Sequence, residues 1–170
     1  MSAAKSKSTK GGRSAARLAA VQGLYQMDMA ATDLNIVIRD LTNDPIGESG
    51  ADATFPGEIE PDMPLPDATF LAELLRGVVR CQRDIDPMVD NQLASGWRLA
   101  RVDSILRAIL RAGVFELIER KEVPARVVIN EYVEIAHAFL SQDDPKVVNG
   151  VLDKLARRLR PAEFETIASG

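Results

Sequence analysis

Residues 101–160 read RVDSILRAILRAGVFELIERKEVPARVVINEYVEIAHAFLSQDDPKVVNGVLDKLARRLR, and three helical patterns run through them. In the first, Val102, Ile105, Leu106, Ile109, Leu110, Val114, Leu117 and Ile118 recur at three- and four-residue steps, which collects them on one broad stripe. A stripe that wide is stable only when buried. The second pattern starts at Pro124, whose missing N–H costs nothing in a first helical turn. It puts Val128, Tyr132, Ile135 and Phe139 on a buried line and Asn130, Glu134 and His137 on a polar one. The third turns Val147, Val148, Val151, Leu152, Leu155 and Leu159 inward and Lys154, Arg157 and Arg158 outward.

Working outward, residues 13–30 form a first helix and 34–41 a short second one. A cap at Asp67 opens another helix, whose buried side is Phe70, Leu71, Leu74, Leu75, Val78 and Ile85. A further short helix is expected over 87–94, leading through Gly96 and Trp97 into the opening tract. Nothing alternates apolar with polar residues long enough to require a strand. The fold class is therefore all-α, with about seven helices and one helical domain over 13–160. Residues 1–12, rich in Ser, Lys and Gly, predict a flexible basic arm, and 161–170 a flexible tail. Between them, 42–66 is acidic and carries five prolines, at 45, 56, 61, 64 and 66; it predicts a disordered loop.

Composition narrows the function. With 46% apolar but only 5% aromatic residues, 170 residues suffice for an aliphatic helical core without staples. One cysteine, Cys81, excludes an internal disulfide and a thiolate metal cluster, and no apolar run approaches a membrane span. A cytoplasmic protein is expected. The formal net charge of −4 argues against a protein coated in basic residues that grips nucleic acid everywhere. Charge is nonetheless segregated: Lys5, Lys7, Lys10, Arg13 and Arg17 all precede the first acid, Asp28, while 40–67 holds acids and no Lys or Arg. Any RNA site must be local, and the N-terminal run is the candidate.

In that run Lys10 lies before the first helix, and Arg13 and Arg17 sit four apart on one ridge, placed to hold phosphate. The alternative is a solubilising tail. Tyr25 is a candidate base-stacking residue, or else packs between helices. Asn130 and Glu131 read more simply as ties to a neighbouring helix end, Gly150 as a point of close helix contact, and Asp103, Arg107 and Arg111 as a solvated charge ladder. His137 has Glu134 one turn away but no nucleophile at a recognisable spacing. Gly-rich phosphate loops, HExxH and Cys/His clusters are absent, so neither an enzyme nor a cofactor is expected.

Four stretches carry a family resemblance: Arg17, Val21, Gln22, Leu24 and Tyr25; Leu106, Arg107, Glu116 and Leu117; Pro124, Ile129, Asn130 and Glu131; and Val148 to Lys154. Together they resemble the NusB family of bacterial transcription antitermination proteins. The resemblance implies two small helical bundles packed together. It also implies an RNA-binding factor that recognises the single-stranded boxA element of ribosomal RNA transcripts with ribosomal protein NusE, within the RNA polymerase antitermination complex. Asp143 and Lys146 match a family region that lies near the RNA.

Two departures stand out. Ser14, Ala15 and Ala16 separate Arg13 from Arg17 where relatives often have consecutive arginines, and Val147 replaces an aromatic residue. Weaker intrinsic RNA affinity is the expectation. Two alternatives belong to other classes. One is a protein-only helical adaptor or homodimer. The other is a relative of the N-terminal domain of RNA cytosine methyltransferases, against which the 170 residues hold no nucleotide-binding βαβ unit and no catalytic-cysteine motif. A further expectation is that the carboxylates of the acidic loop compete with RNA for Lys10, Arg13 and Arg17.

Overall fold

The computed structural model describes residues 3–43, 64–141 and 143–165, with side chains omitted for 3–10 and Asn43. The acidic segment therefore lies mostly outside the described residues. Seven α-helices appear among them: α1 (Ala3–Ala30), α2 (Leu34–Asn43), α3 (Ala68–Asp90), α4 (Ser104–Glu119), α5 (Ala125–Phe139), α6 (Asp144–Leu159) and α7 (Ala162–Glu165). A single 3-10 turn, Leu99–Arg101, precedes α4, and no strand occurs among the described residues. The chain divides into two compact units between Gly77 and Val78, within α3.

The first unit holds α1, α2 and the opening of α3. From Ala15 to Leu24 every residue of α1 is buried. That stretch has no solvent face, and small Ala15, Ala16, Ala19 and Ala20 let neighbours approach it closely. Leu41, Val37 and Leu75 crowd the position of Gly23, where an added Cβ would come within 2.9 Å of the first two. Asp33 accepts the Asn35 N–H at 2.9 Å and starts α2, while Asp67 accepts the Phe70 N–H at 3.0 Å and starts α3, as the sequence predicts. Helical backbone reaches back to Ala3, earlier than the expected start at Arg13.

The second unit is built on α4, α5 and α6, which pack against one another. Asp103 caps α4 by accepting the Ile105 and Leu106 N–H groups. Gly113 is required by this packing, because a Cβ there would lie 2.9 Å from Leu152 and 3.3 Å from Tyr132. Gly150 is not: nothing stands within 4 Å of its Cβ position, so the expected close helix contact is absent. The predicted stripes hold at their centres, with Ile109, Leu110, Leu117, Val128, Tyr132, Val148 and Leu152 all buried, and loosen at Val102, Ile118, Phe139, Val147 and Leu159.

Polar side chains fix these helices. Tyr132 donates its hydroxyl to Glu116 Oε2 at 2.6 Å, joining α5 to α4 where both residues are sealed from water. Arg160, at the C-cap of α6, donates to Glu116 O and Arg120 O at 2.9 Å, to Leu117 O at 3.0 Å and to Val123 O. One guanidinium thereby closes the C-terminal carbonyls of α4 and the turn into α5, where a positive charge also complements the helix dipole. Glu163 of α7 accepts from Arg160 at 3.1 Å and from the Ala125 N–H at 2.9 Å, which caps α5 from outside.

Two further expectations fail. A separate helix over 87–94 does not form; α3 continues through Pro87 to Asp90, because Ile85 and Val89 are both fully buried and hold the last turn against the loss of one N–H. Nor are Arg107 and Arg111 a solvated row of charges, since both are half-buried. Arg111 makes two 2.9 Å bonds to the Asp86 carboxylate, and Arg107 donates to Leu99 O, Ala100 O and Ser104 Oγ.

Candidate nucleic-acid interface

The N-terminal candidates occupy α1 in the first unit. Lys10 is on the helix, but its side chain lies outside the described ones. Arg13 is half-buried, with its guanidinium carbon 4.9 Å from the centroid of the Phe70 ring. Arg17 stands 5.1 Å from the same centroid and is only 3% exposed. The four-residue spacing thus does put both arginines on one side, but that side meets Phe70. Cation–π attraction and ring burial account for the pairing. The expected surface ridge is corrected accordingly: Arg17 is an interior residue, and Arg13 keeps the open flank.

Tyr25 lies two turns beyond Arg17 and is half-buried. Asp143 and Lys146, in the second unit, are both exposed at the start of α6. Asp143 holds the N-cap position without a side-chain bond to the helix, and Pro145 occupies the first turn. Of the other residues singled out, Asn130 and His137 are exposed on α5 and Glu131 is half-buried. Among the described residues no group of His, Cys, Asp and Glu is placed to hold a metal ion, and no helix is long and apolar enough to cross a membrane.

Sequence reasoning passed over Trp97 as part of a connector. It is 45% exposed, between Gly96 and Arg98 in the link from α3 to α4. A lone Trp next to Gly, with Arg98 and Arg101 close by, was the available signal. It missed Arg160 as well, because an arginine just past a helix end looks like any solvated cation until the carbonyls opposite are known.

The fold defines an all-helical class of protein, with no strand among the described residues. The NusB family model matches residues 14–157. The transcription antitermination protein NusB of Rhodopseudomonas palustris (strain HaA2) is 48% identical over 153 residues, 89% of this chain and 85% of that protein. The Nitrobacter hamburgensis protein of the same name is also 48% identical, over 89% of this chain and 90% of its own. Among solved structures, T. maritima NusB superposes with a TM-score of 0.71 at 24% identity, covering 90% of this chain and 96% of that one. A crystal structure of antitermination factors NusB and NusE in complex with dsRNA gives 0.67 at 22% identity, over 85% and 96%. The chain belongs to the NusB family.

Proposed function

We propose that this protein is a cytoplasmic transcription antitermination factor that binds boxA RNA of ribosomal RNA transcripts together with ribosomal protein NusE. The observation that carries this reading is its near-50% identity, across most of the chain, to transcription antitermination proteins. The structural neighbour described as NusB and NusE in complex with dsRNA supports RNA and NusE as partners. Preference for unpaired boxA, and a place in the RNA polymerase complex, follow from the family resemblance of Arg17, Tyr25 and the Val148–Lys154 stretch.

The protein is not an enzyme; binding is its mechanism. With Arg17 turned inward, Arg13 and Tyr25, both half-buried, are what the described side chains of α1 offer among the candidates, few contacts for counterion release. Low intrinsic affinity follows, and a partner that supplies further contacts raises it. Holding RNA beside the polymerase then increases its effective concentration there. Titrating labelled boxA RNA with the chain, with and without NusE, tests this: NusE is expected to tighten binding at least tenfold. Identical weak binding in both arms would overturn the partnership.

A further inference from the structure

We propose that Trp97, flanked by Arg98 and Arg101, is a stacking platform for an unpaired RNA base, separate from the α1 candidates; this rests on the RNA-binding reading above. An exposure of 45% for the residue is unusual for the chain's sole Trp, a type normally mostly buried. The loop that carries it is not slack. Leu99 is buried, its N–H donates to Asp90 Oδ1 at 2.7 Å, and its carbonyl accepts from Arg107 at 3.3 Å. Arg107 also reaches Ala100 O at 3.0 Å, and Trp97 N–H donates to Ala94 O at 2.9 Å. Backbone on either side of the indole is therefore tied down, so little ordering entropy remains to be lost on binding.

Open space and charge select the ligand. Gly96, at φ 88, has no atom within 4 Å of its Cβ position, which leaves the backbone beside the indole clear. Arg98 and Arg101 are exposed and form no ion pair among the described residues. The carboxylates nearest in sequence are engaged elsewhere: Asp90 by the Leu99 N–H, Asp103 by the Ile105 and Leu106 N–H groups. A flat aromatic surface with two arginines beside it matches a base and its phosphates. An apolar helix docking there would instead leave two guanidiniums without counter-charges.

Since Trp97 is the chain's single Trp, its emission reports this site alone. Titrating the full chain with single-stranded boxA RNA is expected to quench that emission along the same curve as RNA anisotropy. Trp97→Ala should weaken RNA binding roughly 5- to 150-fold, the span of one lost stacked base, while Trp97→Phe retains most of it. Arg98→Ala and Arg101→Ala should each lower the slope of log affinity against log salt by ~0.7. Unchanged thermal unfolding of these surface variants shows that folding is not the cause. If RNA binds without quenching and Trp97→Ala binds as the wild type does, the platform is refuted while RNA binding stands. Quenching by NusE alone, with NusE affinity but not RNA affinity lost in Trp97→Ala, makes the site a protein contact and also refutes it. Absence of any RNA binding, with or without NusE, overturns this inference and the function together.

Discussion

Replacing Arg160 by Met keeps the length of the stem and removes the guanidinium, so it isolates the bonds that this one group makes. Four backbone carbonyls and the Glu163 carboxylate lose a donor. Two of those carbonyls keep a partner, because Glu116 O accepts the Arg120 N–H and Arg120 O accepts the Val123 N–H. Leu117 O and Val123 O have no other partner among the described residues, and the Arg160 side chain is only 4% exposed, so water does not readily replace it. Each stranded carbonyl costs about 1–3 kcal/mol. Loss of the charged contacts to the other two and to Glu163 brings the total to about 4 kcal/mol, within the range for breaking a buried ionic cluster. For a protein of this size that is a fall in Tm of about 8–16 °C. Differential scanning calorimetry of Arg160→Met beside the wild type measures it. Arg160→Lys, which keeps the charge but not the fork of donors, should recover less than half. A fall below about 3 °C in Arg160→Met would refute the reasoning, since it would mean the carbonyls are already satisfied.

Other outcomes follow from the same geometry. Arg111→Met breaks the two bonds to Asp86 but leaves a carboxylate that is 30% exposed, so the loss should be only about 1–2 kcal/mol by urea unfolding, clearly smaller than for Arg160→Met. Tyr132→Phe removes the 2.6 Å bond to buried Glu116 at nearly constant volume and should cost about 1.5–3 kcal/mol in the same assay. Arg17→Ala should lower Tm with little change in the salt dependence of RNA binding, because the residue is 3% exposed. Arg13→Ala should do the reverse, leaving Tm within about 2 °C and reducing the slope of log affinity against log salt by ~0.7.

Much of the fold was legible because its information is local. The stripes of α4, α5 and α6 depend on helical periodicity, and the Asp67 cap on a side chain reaching three residues along its own chain. What could not be read is what crosses between segments distant in sequence. Arg107, Arg111 and Arg160 look alike as letters, yet one holds a loop, one an aspartate 25 residues away, and one the end of a helix 43 residues earlier. Pro87 misled for the same reason: a local rule ends the helix there, whereas burial of Ile85 and Val89 carries it on. At the candidate site, spacing placed Arg13 and Arg17 side by side correctly but was silent on Phe70, more than fifty residues later, whose ring both guanidinium groups meet.

The central claim is selective RNA recognition by a small basic surface acting with NusE. Competition between boxA RNA and a scrambled sequence of the same length and composition, with NusE present at physiological salt, tests it most directly. Binding by this chain should favour boxA at least tenfold, a difference of about 1.4 kcal/mol. Equal affinity for the two RNAs would contradict it.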